Sequence, residues 1–155
     1  MLDKYDKTIL NHLQINGRLS NQELADAIGL SPSACLRRFK NLEEQGLILG
    51  YRALVDAKKL GLDLMALISI SMDTHTQDRF NGFAQAIQKL PNVLECLLVT
   101  GQSADYQLKV IVKDLDAYQE LLLKHITQID GVSGVHTSFV LQKVVYKTEL
   151  PIENS

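Results

Sequence analysis

The sequence predicts an α+β protein in two parts, and three observations carry that expectation. As far as Gly46 the apolar residues recur at helical spacing, with capping residues between the runs. From Leu64 onward the period drops to two. Between the strand-like runs lie two more helical stretches, in the order βαββαβ. At 155 residues, 46% hydrophobic and 22% charged, the chain has average globular composition and room for one ordinary domain or two small ones.

In the first part, Leu2, Tyr5, Ile9, Leu10 and Leu13 share one helical face between the N-cap candidate Asp3 and Gly17, which predicts a helix over 3–16. Ser20-Asn21-Gln22-Glu23 is a capping box, and Leu24, Ala27 and Ile28 follow on one face, so a short second helix should stop at Gly29. Ser31-Pro32 then pairs a cap with the helical position where proline loses nothing, opening a third helix to Gln45. Two residues, Gly29-Leu30, are too few for side-by-side antiparallel packing and read as the turn of a helix-turn-helix.

Cys35, Phe39 and Leu42 should face the first two helices, leaving Ser33, Arg37, Lys40, Asn41 and Glu44 on the other side with Ala34 at its margin. A recognition helix enters the major groove with its N-terminal part. Ser33, Ala34 and Arg37 are therefore candidates at base edges, Arg37 first, and Lys40 and Asn41 at phosphates or the far edge, with Ser31 at the cap counted among the DNA-binding candidates. Arg38 sits on the flank, suited either to a phosphate or to an internal pair with Glu43 or Asp6. Charged stripes are usually solvated faces, but two capped short helices, a tight turn and an arginine-bearing face with no acid in its first two turns together favour double-stranded DNA. The stretch from Leu47 to Asp56 reads as a wing or linker strand, giving domains at 1–50 and 63–155 around a linker at 51–62.

In the second part, strands are predicted over 64–72, 93–99, 106–112 and 135–146, and helices over 77–90, closed by Pro91, and 116–129. This is a ferredoxin-like arrangement, with two helices over one face of an antiparallel sheet. Both alternating sets of the strands look apolar, Ala66, Ile68 and Ile70 against Met65 and Leu67, so a second copy should cover the other face. On that reading Leu98→Asp or Ile70→Asp would yield insoluble or monomeric protein.

Charge divides unevenly. Residues 1–60 carry nine basic and seven acidic side chains, a surplus of two, which leaves −4 for the remainder of a chain whose net charge is −2. That asymmetry fits a polyanion-facing first half. Cys35 and Cys96 lack metal or disulfide spacing and are expected to be buried thiols. No apolar run is long enough for a bilayer and no leader pattern opens the chain, so a cytoplasmic location away from membranes is expected.

Assembled, these residues resemble the Lrp/AsnC (leucine-responsive, feast/famine) family of transcription regulators. The carriers are Leu2-Asp3-x-x-Asp6-x-x-Ile9-Leu10, Gly17-Arg18-Leu19-Ser20-Asn21-x-Glu23-Leu24-Ala25, Gly29-Leu30-Ser31-Pro32-Ser33-x-Cys35-Leu36-x-Arg38 and Leu42-Glu43-x-x-Gly46-Leu47-Ile48-x-Gly50-Tyr51. The Gly101…Asp105-Tyr106 loop and the strand entries Pro91-Asn92-Val93 and Gly131-Val132 complete the pattern. The resemblance implies a winged helix-turn-helix, dimers assembling into larger oligomers such as octamers, and no cofactor beyond a small effector, usually a free amino acid, held between dimers. Carried over by motif, the effector residues are Thr100, Gly101, Gln102, Ser103, Ala104 and Asp105, with Leu98 nearby and Ser138, Phe139 and Val140 from the last strand. A glycine-containing turn offers N–H groups to a carboxylate, and Asp105 would take the ammonium. Many members place two residues between the glycine and the aspartate where this chain places three. The apolar lining points to leucine or methionine.

Two other classes compete. One is a nucleoid-structuring DNA binder without effector control. The other is a small barrel enzyme, which the scattered His75, His125 and His136 support poorly: His125 falls on a packed stripe, and no nucleophile-base pairing or phosphate-cradling loop occurs.

Overall fold

The computed structural model describes residues 2–101 and 103–153, which form two compact units, Met1–Leu54 with Val145–Ser155, and Val55–Val144. The chain beyond Val144 therefore belongs with the first unit, whereas the sequence groups it with the second. No hydropathy period marks a segment whose partner lies far back along the chain.

In the first unit, helix α1 spans Lys4–Ile15, α2 Asn21–Ile28 and α3 Pro32–Glu44, within a residue or two of the sequence expectation. Local chemistry sets each end. Asp3 and Asp6 form a reciprocal capping box at α1, Ser20 and Glu23 another at α2, and the Ser31 hydroxyl accepts from Ala34 N–H at α3. Gly29 and Gly46 close α2 and α3 at φ +70° and +69°, a left-handed turn that costs glycine nothing. Ile9, Leu24, Cys35 and Leu42 meet in the core at 2% exposure or less, and each large aliphatic among them contributes about 1.5–3 kcal/mol of burial.

From Leu47 to Asp56 the chain is irregular, and a single 3-10 turn, Lys58–Leu60, precedes the second unit. The expected wing or linker strand over 51–62 is not formed. A strand needs a neighbour to satisfy its backbone, and among the described residues no segment pairs with it.

The second unit holds strands β1 (Leu64–Met72), β2 (Val93–Leu98), β3 (Tyr106–Val112) and β4 (Val132–Phe139), with α4 (Gln77–Ile87) after β1 and α5 (Leu115–Glu120) after β3. The sheet is antiparallel in the order β2-β3-β1-β4, the ferredoxin-like arrangement. The chain is thus α+β, a helix-turn-helix followed by a βαββαβ domain. Ala66, Ile68, Ile70, Leu108 and Val110 are fully buried beneath the helices with Phe83 and Ile126.

β4 starts three residues before its predicted position and ends seven earlier. The second helix also differs. After α5 a wide turn, Leu121–His125, brings Ile126 N–H to the Leu121 carbonyl, and a 3-10 turn follows. Five residues apart, those two side chains would diverge by about 140° on a regular helix. The extra residue lets both reach the core, and it leaves His125 exposed, not on the packed stripe.

The face of the sheet away from the helices is mixed, which corrects the expectation of an apolar surface. Ser69 donates to Gln107 at 3.2 Å and Lys109 reaches Glu95 at 3.5 Å, beside Leu67 and Leu97, which are 38% and 49% exposed. Ile70 lies on the opposite, buried side, so Ile70→Asp tests the core and not a docking face. Cys35 is buried and Cys96 only half-buried; desolvation raises both thiol pKa values, so both stay protonated. No described helix is long and apolar enough to cross a membrane.

Candidate DNA-binding and ligand-binding sites

The surface of α3 is built by the turn that precedes it. Leu30 N–H returns to the Ala25 carbonyl at 3.0 Å, and the Asn21 amide donates to the Pro32 carbonyl at 2.8 Å, tying the start of α2 to the start of α3. Cys35 and Leu42 anchor one side of α3 in the core. Ser33, Arg37, Lys40 and Asn41 are consequently exposed, with Ala34 at the margin, and Ser31 remains at the cap with its hydroxyl 3.3 Å from that of Ser33. Arg37, Arg38, Lys40, Asn41 and Glu44 line an open groove of about 540 Å³.

Arg38 takes the second of its two roles. Its Nη1 donates to Asp3 at 2.7 Å and Asp6 at 2.8 Å, and its guanidinium lies 5.3 Å from the Tyr5 ring centroid. Its hydrogen bonds to the carboxylates of Asp6 and Asp3 raise its pKa. The Asp3 carboxyl is held below the usual range, first by the Asp6 N–H and then by Arg38. One guanidinium thus locks the capping box of α1 to the middle of α3. Behind α3, Tyr51 packs on Phe39 and its hydroxyl donates to Glu43; burial, then that carboxylate, pushes the phenol up to about 12.

The second candidate site is the turn between β2 and β3. Gln102 lies outside the described residues. Val99 N–H donates to the Asp105 carbonyl at 2.9 Å, Asp105 N–H to the Ile70 carbonyl at 2.8 Å, and Gly101 takes φ +79°. The Ser71 hydroxyl donates to the Ser103 carbonyl at 3.1 Å, so β1 supports the turn from beside it. Thr100, Gly101 and Ser103 are exposed, and Ala104 is half-buried.

Asp105 is more than a turn residue. Oδ2 accepts Met72 N–H at 2.7 Å and Oδ1 meets His75 Nε2 at 2.7 Å, while the His75 ring contacts Phe80 edge-on. His75 therefore belongs to the site. Its thirty-residue separation from Asp105 carries no sequence signal; only the return of β3 alongside β1 makes them neighbours. A carboxylate offers about four acceptor positions, so two partners leave room for an ammonium.

The remaining candidates divide by place. Leu98 pairs with Tyr106 beside the turn and is 60% exposed. Ser138 and Phe139 pair with Leu67 and Ala66, and Val140 N–H donates to the Met65 carbonyl, at the other end of β1 from Ile70 and Met72. At 3.3 Å per residue the two groups are separated by roughly 10 Å or more along the sheet. One copy does not bring them together.

Comparison with known proteins agrees with this layout. Residues 65–150 match the family described as Lrp/AsnC ligand binding domain, and residues 2–48 match winged helix-turn-helix DNA-binding. The chain is 41% identical over 153 residues to the transcriptional regulator AzlB of Bacillus subtilis, covering 99% of this chain and 97% of that one. It is 41% identical over 152 residues to the leucine-responsive regulatory protein of Escherichia coli K12, covering 98% and 92%. A Neisseria meningitidis transcriptional regulator solved with L-Met superposes with TM-score 0.93 at 40% identity, covering 97% of each chain. AsnC of E. coli gives 0.88 at 30%, again covering 97% of each. With a helix-turn-helix ahead of a ligand-binding ferredoxin-like domain, and relatives of this length and similarity, the chain belongs to the Lrp/AsnC family of DNA-binding transcriptional regulators.

Proposed function

We propose that this regulator reads double-stranded DNA through Ser33, Ala34 and Arg37, with Lys40 and Asn41 on the phosphates. We propose further that a free apolar amino acid, leucine or methionine, adjusts that binding from a crevice between copies of the chain. Arg37 carries the first part: it is exposed on the first half of α3, while its neighbour Arg38 is held by Asp3 and Asp6. A free guanidinium pairs bidentately with guanine O6 and N7. Arg38 then acts by positioning α3 against α1, and Ser31 by capping it.

The separation of the two effector groups carries the second part. The turn from Leu98 to Asp105 and the segment 138–140 lie at different ends of β1, so a pocket lined by both draws them from different copies. Asp105 would add an ammonium to its existing partners, and the N–H groups of the turn would receive the carboxylate. The L-Met complex of a relative 40% identical to this chain favours such a ligand. An effector acts only through different affinity for two assemblies, so it should shift dimers against higher oligomers, up to octamers, and with them the spacing of α3 along DNA.

The test is capture of fragmented genomic DNA by the purified protein, with and without leucine or methionine, followed by sequencing. Discrete sites whose recovery changes with one amino acid are expected. Enrichment that ignores both would leave an effector-independent DNA binder, and no enrichment at any salt concentration would overturn the role of α3.

A further inference from the structure

One side of α1 carries a contact that neither DNA recognition nor the effector reading uses. Gln14 and Asn11, one turn apart, both face the C-terminal segment. The Gln14 amide oxygen accepts Leu150 N–H at 2.6 Å and its Nε2 donates to the Leu150 carbonyl at 3.1 Å. Asn11 Nδ2 donates to the Ile152 carbonyl at 3.2 Å, and the Ile152 side chain packs on the core that includes Ile9 and Leu10.

Gln14 thus engages both polar groups of one peptide residue, as a neighbouring strand would. In extended backbone a residue's N–H and C=O point to the same side, which is the geometry a primary amide can match. Pro151 prepares it, because the residue before a proline is driven into the extended region. The Leu150 side chain takes no part and is 72% exposed. Recognition is therefore of backbone, with one apolar anchor two residues on.

We propose that the Asn11/Gln14 face of α1 is a binding site for an extended peptide segment and that its occupant is this chain's own C-terminal tail, Leu150 to Ile152. The same tail leaves β4 at Phe139, so the ligand-binding domain is joined to the DNA-binding unit twice, by the linker after Tyr51 and by a docked return segment. The candidate effector residues 138–140 stand ten to twelve residues before the clamp. A shift at the end of β4 has a short covalent route to α1, and this coupling rests on the effector reading above.

Amide hydrogen exchange on the full-length protein tests the docking. Leu150 N–H should exchange at least tenfold more slowly than in a Gln14→Ala variant, and Ile152→Asp should remove the protection as well. Gln14→Ala replaces a half-buried helical residue with a better helix former, so the fold survives it. Leu150 exchanging at the rate of a free peptide in the unmodified protein, or equally fast with and without Gln14, overturns the site. For the coupling, the change in DNA affinity caused by methionine or leucine should shrink at least threefold in Gln14→Ala, with affinity in the absence of amino acid unchanged. A full response in the variant overturns the coupling. A lack of response in the unmodified protein is a failure of the effector reading, and exchange alone then decides the docking site.

Discussion

The two units assemble their sites by opposite means. In the DNA-binding unit every candidate contact residue lies between Ser31 and Asn41, on one helix whose start is set by a serine and a proline. In the ligand-binding unit the Asp105 site draws on the end of β1, the loop after it and the β2–β3 turn. A helix face follows from spacing, but a turn braced by a neighbouring strand follows from sheet order.

The strongest way to break this comparison is at the sheet core. Ile70→Asp places a carboxylate in a fully buried position and should cost about 3–5 kcal/mol, abolishing the thermal transition of the second unit in circular dichroism. Leu98→Asp, at a position 60% exposed, should fold normally and alter self-association, as read by sedimentation. Both residues lie in register with Tyr106, so equal unfolding by both would mean that the exposed end of β2 is as intolerant of a charge as the core beneath the helices.

On the DNA side, Arg37→Ala should weaken specific binding by about 1–3 kcal/mol with an unchanged melting curve, while Lys40→Ala should reduce affinity uniformly and lower the salt slope by about one. A titration of labelled DNA at several salt concentrations separates them. Loss of stability in either variant would show that this face is not independent of the fold.

Asp105 sharpens the contrast. Asp105→Asn keeps an oxygen for Met72 N–H and removes the charge an ammonium needs, so the amino-acid response should vanish with little loss of stability. Asp105→Ala also leaves Met72 N–H without its acceptor and should cost about 1–3 kcal/mol more. Calorimetry with leucine and methionine, paired with melting of both variants, distinguishes the roles.

The smallest expected effect is on pH. The Asp3 pKa is depressed in the folded protein, so its contribution is present above its ordinary pKa and lost as pH falls through the lower folded one. Arg38→Ala should lower the melting midpoint of the first unit by a few degrees at neutral pH, and the gap should close as the solution is acidified through that window. A gap that persists in acid would mean that Arg38 acts through packing on Tyr5.

Much of this was legible in the chain, and the misses have physical causes. The caps at Asp3, Ser20 and Ser31 and the glycines at 29 and 46 act within a few residues, so spacing alone located α1, α2 and α3. Runs of β-branched and aliphatic residues located β1 and β3 to the residue. Apolarity on both alternating sets did not reveal that Ile70 faces the helices while Ser69, Gln107 and Lys109 form the other surface, because facing is set by packing against α4 and α5. His75 beside Asp105, and the tail against Gln14, are partners 30 and 136 residues apart. Sequence determined where helices start and stop, which residues of α3 point away from its core, and the family. Tertiary structure decided which arginine stays free, what holds Asp105 and where the tail goes, because hydrogen bonds and ion pairs between distant segments exist only after the chain has closed on itself.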